Sequence, residues 1–436
     1  MYTKWGDKMG ESNLAVDNFE YIDPITNVYN KYYLEKFYKD YKDKIIGLAI
    51  LDFDNFKYIN DTYGHIFGDK VLILLAQKLK KLNEDKGFIV RFSGDKFIVL
   101  YVDRPLEEIN ESITKIIDEF EDVFEFEGKK FLMTVSAGIY LGKPNEDLYE
   151  IIRRADVALN YSKRTKVNKM TVFEGILEEK IVRKTKLMAC LKKALEDDEF
   201  YLVYQPIYDI NLERIYEVEA LARWKNKEFG EVPPVEFIPI LEETGLIIDF
   251  GYAVLEKVFR QIKEWENMNI NLTVNINISP VQISDMNFIE KVKSLKEKYN
   301  IDTNRIVFEI TETQLIKADS KKRQIIKKLQ ELGISLALDD YGSDYSQINN
   351  VIKIPAKYIK ISKEIVDLIS EDYRVKLMIK CFIDLFNSLG YLIVAEGIES
   401  MHQFEYLKEI GCHKIQGYYI SRPVDKEEIV KLVKHN

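Results

Sequence analysis

The second half of the chain alternates short apolar runs with longer segments in which apolar residues recur at helical spacing. From Phe200 onward, eight runs rich in β-branched and aromatic residues follow one another: YLVYQPI, YEVEALARW, LTVNINIS, RIVFEITE, ISLALDD, KYIKIS, YLIVAEG and HKIQGYYI. Each run has the length and composition of a strand. Eight strands that alternate with helices over this length are typical of a TIM-like (β/α)8 barrel.

The first half has a different order of elements, which predicts an α/β sandwich. GLAILDFDNF over Gly47–Phe56 predicts a buried strand, and FIVRFSGDKFIVLYV over Phe88–Val102 predicts a hairpin. The other predicted elements are helices over Asp69–Leu82, Glu107–Glu121 and Leu148–Lys163 and a strand over Phe131–Tyr140. We therefore predict a lead over residues 1–20, an α/β domain over 21–175, a helical connector over 176–195 and a barrel over 196–436.

Composition and charge narrow the class of protein. The chain of 436 residues is 46% hydrophobic and 31% charged, with a net charge of −9. An acidic surface disfavours a polymeric nucleic acid as partner, whereas a metal ion can still bring in a small phosphate ligand. No apolar run is long enough to span a bilayer, and the N-terminus lacks a signal peptide, so we expect a cytoplasmic protein. Three scattered Cys and four His predict neither a disulfide framework nor a zinc site.

Polar side chains fall on one face of the predicted barrel strands. In LTVNINIS, for example, Val274 and Ile276 alternate with Asn275 and Asn277. Because successive strand residues point to opposite faces and the apolar face must pack on the outer helices, the polar face points into the barrel. Seven such residues lie late in their strands and are expected to converge in one mouth: Glu219, Asn277, Glu309, Asp339, Asp340, Lys360 and Glu396.

Carboxylates that face one another in this mouth repel, and divalent cations remove that repulsion. Ligands that are all oxygen atoms favour Mg²⁺ or Mn²⁺ over zinc. The neighbours Asp339 and Asp340 can serve one site only if the strand ends there, because strand neighbours face opposite ways. One of them could then bridge two metal ions, an arrangement used for in-line displacement at phosphorus.

These motifs resemble the EAL domain family of cyclic di-GMP phosphodiesterases from about Ile181 to the C-terminus. The matching stretches are YQP, EALAR, NIS, EITET, DDYGSDYS, KYIKIS, AEGIE and QGY. The resemblance implies two metal ions, the first bound by Glu219, Asn277, Glu309 and Asp339, the second by Asp340 and the bridging Asp339. It implies catalytic roles for Glu219, Glu396 and Lys360, the last two acting on the attacking water. The implied substrate contacts are Gln205, Arg223, Glu399 and Gln416, and Glu312 is the implied loop anchor.

The chain departs from the family pattern after the paired aspartates. The family's DFGTGYSS is DYGSDYSQ here, which places Asp344 where Gly is usual and Gln347 where Ser is usual. The family's KIDRSF is KISKEI, so Ser362 replaces an Asp. None of these changes removes an implied metal ligand. Two interpretations stay open: a phosphodiesterase that yields linear pGpG, and a catalytically weak or inactive cyclic di-GMP receptor. The resemblance also implies a homodimer.

The first domain resembles the GGDEF diguanylate cyclase family over about Tyr21–Phe173. The matching pieces are DPITNVYN, DFDNFKYIND, GHIFGD and ADVAL, but the signature turn is SGDKF over Ser93–Phe97. Because Lys96 places a cation where the family has a carboxylate beside the metal, we predict no cyclase activity. The resemblance implies a remaining GTP site with Mg²⁺, which involves Asp52, Asn60, Asp69, Asp95 and Lys163. A purely structural remnant is the alternative.

Overall fold

The computed structural model describes residues 19–83, 86–121, 123–165, 169–311, 320–341, 355–369 and 372–435. The chain divides into two compact units, residues 1–182 and 183–436, and each is described by itself. The division falls within a helix that runs without interruption over Gly175–Glu196. No helix of the described ranges combines the length and the apolar character that crossing a bilayer requires.

The first unit is built on a six-stranded sheet with the strand order β1-β3-β4-β2-β7-β8. Its strands are β1 Tyr29–Asn30, β2 Ile46–Phe53, β3 Phe88–Ser93, β4 Lys96–Val102, β7 Val135–Gly142 and β8 Met170–Val172. A separate pair of strands consists of β5 Val123–Phe126 and β6 Lys129–Leu132. The helices are α1 Tyr32–Tyr41, α2 Phe56–Tyr63, α3 His65–Asn83, α4 Leu106–Glu119 and α5 Leu148–Thr165, followed by α6 Gly175–Glu196.

Strand β2 is central and is buried on both faces. Its residues alternate between two apolar clusters: Ala49 and Leu51 pack in one, and Leu48 and Ile50 pack in the other. Helices therefore cover both faces of the sheet, and the predicted α/β sandwich is confirmed.

The strand predicted over Phe131–Tyr140 is divided in the structure. Leu132 ends β6, and Val135 begins β7 in the main sheet. The break lies at Thr134, whose hydroxyl donates to Asp54 Oδ2 at 2.7 Å, while its carbonyl accepts from the backbone of Asp54 at 2.8 Å. The loop after β2 thus takes up the backbone carbonyl of Thr134, which a continuous strand would have used for pairing.

The second unit is an eight-stranded barrel with one added strand. The barrel strands are β9 Phe200–Asp209, β10 Arg214–Asn226, β12 Thr273–Asn277, β13 Ile306–Thr311, β14 Ser335–Tyr341, β15 Tyr358–Ile361, β16 Leu392–Ala395 and β17 Lys414–Gln416. Strand β11, Gly230–Val232, pairs with the end of β10. Pairing of β9 with both β17 and β10 closes the barrel.

The barrel confirms the predicted fold class and differs from a wholly parallel one in β9. This strand is antiparallel to both of its neighbours. The reason is local: only four residues separate the end of β9 from the start of β10, which suffices for a hairpin but not for a helical crossover. The helices of the unit are α7 Pro234–Thr244, α8 Ile247–Asn267, α9 Pro280–Ile283, α10 Phe288–Tyr299, α11 Ser320–Glu331, α12 Lys363–Asp367, α13 Tyr373–Ser388, α14 Met401–Glu409 and α15 Lys426–His435.

Strand alternation separates an outer core from an inner one. Val274, Ile276 and Phe308 belong to the large cluster that fills the space between strands and helices. A small separate cluster contains Ile207, Val307, Ala337, Tyr358 and Val394, which lie on the opposite strand faces. The barrel interior therefore has an apolar layer, and the polar residues of the same faces follow it along the strands.

Candidate functional site

Lys360 lies at the centre of a cluster of carboxylates in the barrel interior. It is on β15, and its side chain is 1% exposed. Its Nζ atom lies near four carboxylate oxygens, at 2.6 Å from Glu396, 2.8 Å from Glu309, 3.2 Å from Asp339 and 3.7 Å from Glu219. One ammonium group thus contacts carboxylates from four other strands or strand ends, as the alternation of polar residues predicts.

Amide groups hold Glu219 in this cluster. Asn277 Nδ2 donates to one carboxylate oxygen at 2.7 Å, and Gln416 Nε2 donates to the other at 2.6 Å. The same Gln416 nitrogen lies 3.1 Å from Gln205 Oε1, and Gln205 Nε2 donates to the Ser421 carbonyl at 3.3 Å. Three of the predicted site residues on three strands therefore fix the orientation of Glu219.

Asn275 belongs to the same cluster, although it is not among the predicted site residues. It is buried, and its Nδ2 atom donates to Glu309 Oε1 at 3.0 Å. Strand alternation in the sequence already pointed to this residue, since Asn275 shares a strand face with Asn277. The other oxygen of Glu309 has no hydrogen-bond partner among the residues that the structure describes.

Asp339 and Asp340 reach one site by a route that differs from the predicted one. Strand β14 does not end at this pair but continues to Tyr341. The register with β15 shifts between Leu338 and Tyr341, and Asp340 has a left-handed backbone with φ of 54°. This irregularity turns the second carboxylate toward the side of the first, so that a strand end is not needed.

The ionisable groups of the cluster have pKa values that are shifted in different directions. Burial tends to raise the pKa of Glu219, but Lys360 and the two amide donors outweigh it and hold that pKa below its ordinary value. Burial and the nearby charge of Glu219 raise the pKa of Glu309 well above its ordinary value. Burial opposes the charge on Lys360, yet Asp339 and the other carboxylates hold its pKa well above the usual range. The ammonium group therefore stays charged, and one cation faces several acids.

The composition of the cluster fits a divalent metal ion. Oxygen atoms of Asp339, Asp340 and Glu396 all lie within 4.8 Å of one another. Four carboxylates contact the single ammonium group of Lys360, and Asp340 lies beside two of them, which leaves a formal excess of negative charge. The unpartnered oxygen of Glu309 adds a further donor atom. Donors that are all oxygen suit Mg²⁺ or Mn²⁺.

The raised pKa of Glu396 makes the stability of the metal-free protein depend on pH. Burial raises this pKa to about 8 from 4.5; Lys360 opposes the rise, and Asp339 adds to it. Between these values the folded protein holds a proton that the unfolded chain releases, so the free energy of unfolding falls as the pH rises. We expect Glu396→Gln to reduce this fall. Denaturant titrations with a chelator at about pH 5 and about pH 8 measure it, and equal slopes in wild type and variant would contradict the prediction.

Two predicted substrate contacts lie outside the cluster. Arg223 is four residues beyond Glu219 on β10, where its Nη1 atom donates to the Ala222 carbonyl at 2.8 Å. Glu399 is exposed, and its carboxylate binds Lys363 Nζ at 2.9 Å. Neither of these contacts involves the Lys360 cluster, and the contact of both residues with substrate stays a prediction.

Two departures from the family pattern, Asp344 and Gln347, lie outside the described residues. The predicted loop anchor Glu312 also lies outside them. Ser362 is described. It is fully buried at the start of α12, and its hydroxyl has no hydrogen-bond partner among the described side chains and backbone.

A second ion pair lies inside the barrel and was not predicted. Lys414 on β17 and Glu217 on β10 are both buried, and their Nζ and Oε1 atoms are 2.5 Å apart. The rings of Tyr216 and Tyr358 flank the ammonium group, with centroids 4.9 and 4.6 Å from Nζ. Parity could have indicated the pair, because Glu217 shares a face with Glu219.

Lysines occupy the predicted nucleotide site of the first unit. Lys163 Nζ lies 2.5 Å from Asp52 Oδ1, and Lys96 Nζ lies 3.1 Å from Asp156 Oδ1. Desolvation and the charge of Asp52 raise the pKa of Asp95. Asp52 and Lys163 thus form an ion pair, and Asp95 lies close enough to both for their charges to act on it. The role of these residues in nucleotide binding stays a prediction.

The other two predicted nucleotide-binding residues lie on neighbouring helices. Asn60 is on α2 and points its Oδ1 atom at Gly68 of α3, while Asp69 is exposed on α3. Their part in a common site with Asp52, which lies on β2, stays a prediction.

Comparison with known proteins gives two family matches. The family model described as EAL domain matches residues 188–423, and the model described as Diguanylate cyclase, GGDEF domain matches residues 20–169. The Oxygen sensor protein DosP of Escherichia coli K12 is 30% identical over 428 residues, which cover 96% of this chain and 53% of that protein. The Cyclic di-GMP phosphodiesterase PdeR of the same organism is 30% identical over 380 residues, which cover 87% of this chain and 57% of that protein.

Among solved structures, the phosphodiesterase MucR of Pseudomonas aeruginosa in complex with cyclic di-GMP superposes with a TM-score of 0.53 at 28% identity. The match covers 56% of this chain and 99% of that chain. This chain spans about half the length of the curated relatives that it matches.

Proposed function

Because this chain belongs to the EAL domain family and carries a GGDEF domain before its EAL domain, we propose that it hydrolyses cyclic di-GMP to linear pGpG with Mg²⁺ or Mn²⁺. The observation that carries the proposal is the buried Lys360 among Glu219, Glu309, Asp339 and Glu396. A buried lysine that serves only stability needs one carboxylate as its partner. Hydrolysis of a phosphodiester needs more groups, because it requires metal ligands, a base for the water and a cation for the negative charge that develops.

The oxygen donors of the cluster would bind the metal ions. The residues that would hold the ions are Glu219, Asn277, Glu309, Asp339 and Asp340. When bound, divalent ions polarise the phosphoryl group and lower the pKa of water. Asn277 is suited to this role, because its Nδ2 atom already donates to Glu219 and its carbonyl oxygen can face an ion.

Glu396 and Lys360 are the groups that act on the attacking water. Burial raises the pKa of Glu396 to about 8 in the metal-free protein. Divalent ions beside it would lower this pKa, so that its carboxylate would accept the proton that water loses. Lys360 Nζ lies 2.6 Å from that carboxylate and can stabilise negative charge that develops on the phosphate oxygens. The water oxygen bonds to phosphorus, the bond to one ribose O3′ breaks, and that oxygen leaves with a proton.

A hydrolysis assay with purified chain tests the proposal. Cyclic di-GMP is incubated with Mn²⁺ or Mg²⁺, and the products are separated by chromatography, with Glu219→Ala as the inactive control. Metal-dependent formation of pGpG by the wild type is expected. Tight binding of a nucleotide that stays unchanged after long incubation would instead favour the receptor interpretation, for which Asp344 and Ser362 are the motivating departures from the family pattern.

For the first unit we propose that cyclase activity is absent. Lys96 lies opposite Asp52 in the β2–β4 register and pairs with Asp156, and Lys163 already neutralises Asp52. Two ammonium groups beside the carboxylates oppose binding of a metal there. Incubation with GTP and Mg²⁺ in a Glu219→Ala background, where product would persist, is expected to yield no cyclic di-GMP. A cyclic product would contradict the prediction.

GTP is also the ligand to test as a regulator of the barrel. Turnover of cyclic di-GMP is measured with and without GTP, in the wild type and in Lys163→Ala. A GTP effect that this variant loses would support a nucleotide site in the first unit. An unchanged rate in both would favour a structural remnant.

A further inference from the structure

A buried ion pair joins two barrel strands across the strand that lies between them. Glu217 on β10 and Lys414 on β17 have side chains that are 3% and 2% exposed, and their Oε1 and Nζ atoms are 2.5 Å apart. Strand β9 lies between β10 and β17 and pairs with both. The ion pair therefore spans β9 inside the barrel and links its two neighbours through side chains.

An amide link spans β9 in the same way one layer further along the barrel. Glu219 and Gln416 lie two residues beyond Glu217 and Lys414 on the same strands. Gln416 Nε2 donates to Glu219 Oε2 at 2.6 Å, which orients this carboxylate in the Lys360 cluster. Because strand residues two positions apart point to the same face, the ion pair and the amide link are adjacent layers of the barrel interior.

The ion pair and the amide link have the same stagger along β9. In each link, the β9 residues that lie opposite the two partners are two positions apart. They are Asp209 and Ile207 for the ion pair, and Ile207 and Gln205 for the amide link. A displacement of β17 along β9 that lengthens one link therefore lengthens the other as well.

A β-bulge in β10 brings two consecutive residues to the ammonium group of Lys414. The register of β10 with β9 shifts between Ile215 and Glu217, which makes Tyr216 an extra residue on this strand. The ring centroids of Tyr216 and Tyr358 lie 4.9 and 4.6 Å from Lys414 Nζ. A carboxylate and two aromatic rings thus hold the ammonium group in one place.

Stability alone does not account for a charged pair at this position. The free energy of removing two ions from water is often not offset by their attraction, and apolar side chains of similar volume are often at least as stable. Glu217 Oε2 has no hydrogen-bond partner among the residues that the structure describes, so its lost hydration is not replaced by protein there. What a charged pair can contribute instead is a single fixed geometry.

We propose that Glu217 and Lys414 form a positioning pair, which holds β10 and β17 at the stagger that the amide link requires. The amide link orients Glu219, one of the proposed metal ligands, and partners that orient a ligand strengthen metal binding. The pair therefore raises the affinity of the carboxylate cluster for Mg²⁺ or Mn²⁺ from a layer below it. This inference rests on the proposed function, because hydrolysis would use the same ions.

Two double variants of the full chain, both without net charge at the pair, separate positioning from stability. The apolar double variant, Glu217→Met with Lys414→Met, removes the link. The amide double variant, Glu217→Gln with Lys414→Gln, keeps a hydrogen-bonded link, since Gln416 shows that a glutamine on β17 reaches a side chain of β10 at this stagger. Mn²⁺ is titrated calorimetrically into each metal-free protein, and binding that Glu219→Ala abolishes is assigned to the cluster. Denaturant titrations measure stability.

The affinity for Mn²⁺ is expected to follow the link and not the stability. The apolar double variant is expected to raise the Kd about 10- to 100-fold, the range for loss of a partner that orients a metal ligand, while its free energy of unfolding stays close to that of the wild type. The amide double variant is expected to keep the Kd within about 3-fold of the wild type. An unchanged Kd in the apolar double variant, or equal weakening in both, overturns the proposal. Failure of the apolar double variant to fold also overturns it, because the pair would then be a requirement of the fold itself.

A cycle with Gln416→Met tests whether the pair acts through the amide link. In this background the link is already absent, so the apolar double variant is expected to change the Kd for Mn²⁺ less than about 2-fold. The same increase in both backgrounds would show that the pair acts independently of the amide link and would overturn the proposed route.

Hydrolysis measured beside Mn²⁺ binding distinguishes failure of this inference from failure of the proposed function. Binding that weakens in the apolar double variant supports the positioning pair even if the wild type does not hydrolyse cyclic di-GMP. Hydrolysis by a wild type whose Kd for Mn²⁺ does not depend on the pair overturns the inference alone. A wild type that binds no Mn²⁺ through Glu219 overturns both.

Discussion

Replacing Lys360 with methionine is expected to lower kcat for cyclic di-GMP by about 10²- to 10³-fold, the range found when one preorganised donor to a transition-state charge is removed. In metal-free buffer it is also expected to reduce the free energy of unfolding by about 3–5 kcal/mol, because it leaves buried carboxylates without their cation. Methionine keeps most of the volume of the lysine stem, so the change isolates the charge. The site lies in a fully buried position where water cannot replace that charge.

Divalent cations provide the decisive comparison for this variant. Mn²⁺ is expected to restore most of the lost unfolding free energy of Lys360→Met, because metal ions neutralise the same carboxylates, while kcat stays low. The matched control is Lys414→Met, which breaks the buried pair with Glu217 and is expected to be destabilised without rescue by Mn²⁺. Denaturant titrations with chelator or with Mn²⁺ measure both. If Mn²⁺ restored the free energy of unfolding equally in both variants, a metal site among the carboxylates around Lys360 would be contradicted.

Replacing Asp340 with asparagine is expected to lower kcat about 10²-fold or more while the free energy of unfolding changes by less than about 1 kcal/mol. Asparagine tolerates the left-handed backbone that Asp340 adopts at φ of 54°, so only the charge is removed. Asp340→Ala, in contrast, is expected to cost about 1–2 kcal/mol in addition, because a Cβ without a polar group disfavours that conformation.

A second left-handed aspartate offers the control for Asp340. Asp198 has φ of 56°, is exposed, and pairs with Lys257 at the surface. Asp198→Asn is expected to leave kcat unchanged and to alter stability by less than about 1 kcal/mol. Turnover of Asp340→Asn that matches the wild type at saturating Mn²⁺ would remove Asp340 from the set of metal ligands.

Strand alternation accounts for most of what could be predicted about the site. The inward direction of Glu219, Asn277, Glu309 and Lys360 follows from the period of two in an extended backbone, which is a local property of the chain. The same rule would have included Asn275, which contacts Glu309 in the structure. The number of barrel strands was likewise readable, because each is a distinct apolar run between helical segments.

Register and pairing could not be predicted, because they depend on partners that are distant in sequence. The turned backbone at Asp340 exists because β14 has an extra residue relative to β15 at that point, and no pattern within β14 alone indicates this. Likewise, the break at Thr134 depends on its hydrogen bonds to Asp54, which lies 80 residues earlier.

The sequence by itself determined the two-unit organisation, the fold class and the set of inward-facing carboxylates. Only the tertiary structure decided that Lys360 serves four of them at once, that Glu399 pairs with Lys363, and that Asp340 reaches the site of Asp339 through a left-handed backbone. The physical reason is that the direction of a strand side chain is a local property of the chain. The distance between two charges, in contrast, is set by closure of the whole barrel.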